Sequence, residues 1–213
     1  MGKLEANKLQ KRNSILDTAF NLFTTKGVSK TSIAEISEKA GIAKGTFYLY
    51  FKDKYDIRNR LISHESSKLF QAAADDLHSY INKKKAEDSE FEPCFEDQIV
   101  FIANHIIDAL NNNKTLLTFI SKNLSWGIFK EALTTNVAAS DINFRDVYYK
   151  MIDSAEIELE DPEIMLFLIV ELVSSTSYSA ILYQEPADIN TLKPHLNKTI
   201  KAIIREHTVK KSL

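Results

Sequence analysis

Residues 30–54 read KTSIAEISEKAGIAKGTFYLYFKDK. Two short amphipathic segments sit on either side of Gly41, a residue that permits a tight turn. Ser32 and Glu35 have capping-box spacing at the start of the first, and Ile33, Ile36 and Ala40 supply its buried face. The second runs over about residues 43–50, with Phe47 and Phe51 facing inward. Basic and aromatic residues crowd onto that second segment. The pattern is that of a helix-turn-helix whose second helix enters the DNA major groove, so nucleic acid is the implied partner.

Working outward, residues 9–26 place Leu9, Ile15, Leu16, Ala19, Phe20 and Phe23 at helical spacing, and Gly27 follows as a stop. Asp53 is a good cap for a fourth helix over 53–82, about 45 Å long at 1.5 Å per residue. Residues 83–96, charged and containing Pro93, read as a loop. Helical periodicity returns over 98–110, 115–133 and 141–158, with a break at 134–140. Asp161-Pro162-Glu163 is a strong helix start, and that helix is expected to reach Tyr183. The last is expected from Thr191 to His207, with Pro194 tolerated in its first turn. No segment alternates at period two. The expectation is an all-α chain of about nine helices: a three-helix head over 1–52 and a helical body over 53–213.

Composition narrows the function. Residues 1–60 hold 12 Lys/Arg against 6 Asp/Glu, whereas the rest hold 15 against 23. A basic head on an acidic body confines phosphate contact to the head. Five glycines leave little room for a phosphate- or dinucleotide-binding loop, and neither HExxH nor G-x-S-x-G occurs. The five histidines and Cys94 lack metal-ligand spacing. The chain is therefore expected to be no enzyme and to need no cofactor or metal. The longest apolar run, 164–170, is too short to span a bilayer. With a polar N-terminus and one cysteine, the expected location is the cytoplasm, with no membrane partner.

The stretch TSIAEISEKAGIAKGTFYLYFKDKYDI, with the helix carrying Ile15, Ala19, Phe20, Phe23 and Gly27, resembles the N-terminal signature of TetR/AcrR-family transcriptional regulators. The resemblance covers about residues 9–60. It implies a recognition helix in the major groove, with Lys44, Gly45, Thr46, Tyr48 and Tyr50 at the DNA. Thr31 and Ser32, at a helix start, and Lys54 would meet phosphate, and Lys52 would add attraction, as would Lys3, Lys8, Lys11 and Arg12 in the tail. It also implies a homodimer on palindromic operator half-sites, ~34–36 Å apart. The expected dimer residues are Val173, Ser177, Ile181, Leu192, Leu196, Ile200, Ile203 and Ile204. Finally, it implies a body pocket for a small, largely apolar effector that releases a repressor from its operator. Candidates to line it are Phe101, Phe119, Trp126, Phe129, Tyr148, Met151, Phe167 and Tyr178, with Asn104, His105, Asn123 and Glu171 as polar anchors. The competing expectation is a structural or cell-cycle DNA-binding protein on the same fold, with no effector.

Overall fold

A computed structural model describes residues 3–123 and 144–209, with side chains over 5–123 and 147–209. Among them the chain is all-helical, with α1 (Lys3–Lys26), α2 (Ile33–Lys39), α3 (Lys44–Phe47), α4 (Lys54–Glu87), α5 (Phe95–Asn112), α6 (Lys114–Asn123), α7 (Phe144–Ser154), α8 (Pro162–Leu182) and α9 (Ile189–His207). It divides into two compact units, Met1–Glu65 and Ser66–Leu213. The division falls inside α4 rather than at 52/53. The first turns of that helix bury Ile57, Leu61 and Ile62 in the head, where apolar side chains gain most by leaving water.

Local chemistry sets the helix ends. Gly27 (φ 87°) and Gly41 (φ 67°) stop α1 and α2 in the left-handed conformation that only glycine adopts without strain. Asp53 Oδ1 caps α4 by accepting from the Tyr55 and Asp56 backbone N–H groups at 2.7 and 2.8 Å. The Asp56 N–H leads the contacts that hold the Asp53 carboxyl below its usual range. Asp188 does the same for α9, accepting from the Asn190 and Thr191 N–H groups.

Several ends differ from the sequence expectation. α4 continues through the lysine run to Glu87, because a charged stretch without Gly or Pro is a good solvated helix and Lys84 pairs with Glu87 at 2.9 Å. The expected loop thus shrinks to 88–94. α7 ends at Ser154, earlier than expected. Asp161 stands at the start of α8 but makes no side-chain cap, because its backbone is left-handed (φ 48°, ψ 64°). α9 begins at Ile189, two residues early, so Pro194 falls inside the helix. The expected helix over 115–133 is described as α6 up to Asn123. Its remainder, and the break at 134–140, lie outside the described residues.

The body core joins α5, α7, α8 and α9 through Phe95, Ile99, Ala103, Tyr148, Ile152, Met165, Leu166, Ile169, Ile200 and Ile204. A second cluster packs Phe70, Ala73 and Leu77 of α4 on Ile102 of α5. Charge pairs fix the setting of α9 on α5: Arg205 binds Glu96 through two bonds of 2.9 and 3.0 Å, Lys201 binds Asp97 at 2.5 Å, and Lys193 pairs with Asp108. By length and composition α8 would suffice to cross a membrane, with mean hydropathy 1.7, although no apolar run within it is long. In the body it packs against α5, α6 and α9.

Five of the eight expected dimer residues are buried within the chain itself. Ser177 and Ile200 are 0% exposed, and Ile181, Leu196 and Ile204 are buried with them. Val173, Leu192 and Ile203 are half-buried. The buried five close the body's own core, and the other three keep part of their surface open. The outer side of α8 carries Ile164, Leu168, Glu171 and Ser175, all exposed, at the 4-3-4 spacing of one helix face.

Candidate nucleic-acid interface and body cavity

The head's surface follows from what its core consumes. Phe47 and Phe51 are buried, with ring centroids 5.7 Å apart, and this fixes how α3 rolls. Ser32 caps α2 by accepting the Glu35 N–H at 3.2 Å. The Glu35 carboxylate is tied to Lys26 and, at 3.9 Å, to Lys39. Its pKa is lowered, chiefly by the Lys26 hydrogen bond. The regular part of the recognition segment is shorter than the expected 43–50, because after Phe47 the bonds shorten to Leu49 N–H on Thr46 O and Tyr50 N–H on Phe47 O.

Seven of the nine expected DNA-contact residues reach the surface. Ser32, Lys44, Gly45, Tyr48 and Lys52 are exposed, and Thr46 and Tyr50 are half-buried. Tyr48, 51% exposed, stands edge-on to the Phe47 ring at 5.5 Å, which holds the phenol outward. In the tail, Lys8 and Lys11 are exposed and Arg12 is half-buried, while the Lys3 side chain lies outside the described residues.

Two residues do something other than expected. Thr31 is 2% exposed, and its hydroxyl donates to Gly27 O at 2.9 Å. It ties the α1–α2 turn and has no hydroxyl to offer phosphate. Lys54 Nζ donates to Ser29 O at 2.9 Å and Thr31 O at 3.1 Å, so its ammonium braces that same turn from the start of α4. Hydrogen bonds from a charged donor contribute ~1.5–3 kcal/mol each when well buried, and less where half-exposed. Lys54→Met is expected to destabilise the head by ~1–2 kcal/mol in urea melts. The salt slope of DNA binding should fall by less than the ~1 unit that a lost phosphate contact produces. A full unit lost with stability unchanged would return Lys54 to the phosphate.

Gly45 is informative because nothing inside the chain asks for it. It is not among the residues with positive φ, and a Cβ built on it meets nothing within 4 Å. Glycine in a helix is ~1 kcal/mol less favourable than alanine. An open, exposed glycine there is explained by something outside that must come close to the backbone. Gly45→Ala is expected to raise head stability by up to ~1 kcal/mol while weakening DNA binding roughly tenfold. Unchanged binding by the stabilised variant would refute close approach.

The body holds an apolar cavity of about 150 Å³. α4 contributes Ser66, Ser67, Leu69 and Phe70; α5 contributes Ile99, Ile102, Ala103, Ile106 and Leu110; α8 contributes Leu166, Ile169, Val170, Val173 and Ser174. Ile120 and Ser121 of α6 complete it with Tyr148 and Met151 of α7. No charged side chain lines it among the described residues. The Tyr148 hydroxyl donates to Pro162 O at 2.9 Å, and burial pushes the phenol pKa well up.

Of the twelve expected lining residues, Tyr148 and Met151 are in place. Phe101 instead stacks on Tyr80 at 5.3 Å, and His105 Nδ1 lies 3.2 Å from Asp76 Oδ2. Both are on a side of α5 that meets α4 outside the cavity. Phe119 is buried elsewhere, and Asn123 donates to Phe119 O within its own helix. Asn104 and Phe167 are half-buried away from the cavity, and Glu171 is exposed. The Tyr178 hydroxyl lies 3.4 Å from that of Tyr183. Trp126 and Phe129 lie outside the described residues. The cavity is lined by aliphatic stripes, and the signal that finds it is the Ile99, Ile102, Ala103, Ile106, Leu110 spacing along α5.

A capped helix, a glycine turn and a short aromatic-rich helix with an open basic face define the head as a DNA-binding helix-turn-helix. Residues 15–61 match the pattern of the bacterial regulatory proteins, tetR family, and the head is similar in sequence to those regulators. Over 55 residues it is 44% identical to the HTH-type transcriptional regulator AcrR of Shigella flexneri, a stretch spanning 26% of each chain. The whole fold resembles a TetR transcriptional regulator from Rhodococcus sp. RHA1, with TM-score 0.61 at 16% identity over 97% of this chain and 100% of that one. It also resembles the transcriptional regulator FadR of Bacillus subtilis solved with stearoyl-CoA, with TM-score 0.54 at 18% identity over 90% of this chain and 98% of that one.

Proposed function

We propose that this chain is a cytoplasmic, sequence-specific repressor that binds palindromic DNA as a homodimer and is released by a small, largely apolar ligand. The observation that carries the reading is the course of α4. Its first turns belong to the head, and Ser66, Ser67, Leu69 and Phe70 further along line the body cavity. A ligand wedged against those residues acts on the helix that carries Lys54 and the Asp53 cap. At ~1–3 kcal/mol of coupling, operator affinity would fall 5- to 150-fold. That the B. subtilis FadR structure holds an acyl-CoA supports an apolar ligand. The cavity here is smaller than the ~300–1,000 Å³ of drug-sized sites, so the ligand is compact. The same volume favours the second reading, a DNA-binding protein with no effector.

Ala103→Leu separates the two. Ala103 faces the cavity, and a longer side chain fills it. Screened against short alkanols and alkylbenzenes, the wild type is expected to lose operator binding with at least one compound. The variant should keep operator affinity and stop responding. A compound that binds the body yet leaves operator affinity unchanged would end the effector reading.

A further inference from the structure

Past its last residue α3 tightens into a turn, with the Tyr50 and Phe51 N–H groups both on Phe47 O at 3.0 Å. Side chains are therefore set about 100–120° apart through this stretch. Phe47 and Phe51 point into the head core. Leu49 stands two residues from each and so points away from both. It is 81% exposed, more than any other large apolar side chain among the described residues. Gly45, four residues earlier, shares its face, and that face is open. Exposed Lys44 and Lys52 lie on either side in sequence. The face thus combines an apolar tip, a glycine that no internal packing requires, and flanking cations. Those cations are complementary to a polyanion and not to an apolar protein surface.

In the major groove the apolar group presented by a base is the thymine 5-methyl. We propose that Leu49 is a specificity-determining residue that packs on a thymine 5-methyl. The proposal rests on the head being the DNA-binding surface. The phosphates and base edges met by Lys44 and Tyr48 hold the protein on the duplex, and Leu49 adds a preference for thymine at one step under each bound head.

The test uses the full-length protein and a duplex that it recovers from a random library. Each thymine is replaced in turn by deoxyuridine, which removes only the 5-methyl. For the wild type, one replacement per bound head is expected to weaken binding about fourfold, the factor equivalent to the ~0.8 kcal/mol of a buried methylene-sized group. Leu49→Ala should bind the thymine duplex about as weakly as the wild type binds the deoxyuridine one, and should be indifferent to the replacement. Leu49→Met, still long and apolar, should restore part of the difference. Thermal melts of both variants are expected to match the wild type, because the side chain is exposed. Three results overturn the proposal: no thymine is sensitive, the sensitivity persists unchanged in Leu49→Ala, or Leu49→Ala alters only self-association without DNA. Failure to recover any duplex would instead remove the DNA reading itself, and this proposal with it.

Discussion

Phe47→Ala is expected to unfold the head while leaving the body folded. Phe47 is fully buried and packs against Phe51, whose ring lies 5.6 Å beneath the Arg60 guanidinium. Truncating a buried phenylalanine costs ~3–5 kcal/mol, from lost transfer energy and the void left behind. A unit of this size has little stability to spare, because small domains bury a smaller share of their surface. The expected record is a loss of DNA binding with a partial loss of far-UV ellipticity and a persisting, separate melting transition from the body. Tyr48→Ala is the companion. Its ring is half-exposed, so the melt should stay within ~0.5 kcal/mol of wild type while DNA affinity falls. Together they separate the residue that shapes the recognition segment from the one that touches DNA. A Phe47→Ala protein that still bound DNA normally would mean that the roll of α3 does not matter to the interface.

The head was legible because its constraints are local. A cap, a glycine at positive φ and an i, i+4 aromatic pair each act within a few residues, and residues 30–54 contain all three. What sequence could not show there was direction. Thr31 and Ser32 are neighbours of similar chemistry, yet one hydroxyl turns back to Gly27 while the other caps α2. Lys54 reads as a phosphate contact in sequence because the carbonyls it braces lie 23 and 25 residues away. The body was legible as helices but not as faces. Aromatic and polar residues are chemically conspicuous in a sequence, whereas a void between helices is bounded by whichever side chains interdigitate least. Here most of those are aliphatic. Helix α8 posed the harder problem, since it is apolar on nearly every side and periodicity cannot tell its inner face from its outer one.

That ambiguity gives the second large effect. Ser177 and Ile181, expected to meet a partner, are buried in the body, and the outer stripe of α8 retains Ile164 at 51% and Leu168 at 41% exposure. The palindromic operator proposed above would demand a twofold pair of heads, and an isologous interface places the same face of each copy against the other. Leu168→Glu is therefore expected to leave the single chain as stable as before, within ~0.5 kcal/mol, because the side chain is on the surface. Paired across a twofold axis, two such carboxylates would meet in an apolar contact, where burying unpaired charge is strongly unfavourable. Sedimentation should then show a monomer. Operator affinity should fall by ~10²-fold or more, since the second head would no longer bind at the high effective concentration that the proposed dimer would provide. Ile200→Glu is the contrast. It puts charge on a side chain that is 0% exposed, and it should unfold the body rather than yield a folded monomer. If Leu168→Glu stayed dimeric with full operator affinity, the subunits would have to meet through another face, and the exposed stripe of α9, running through His195, Lys198 and Ala202, would be the next to test.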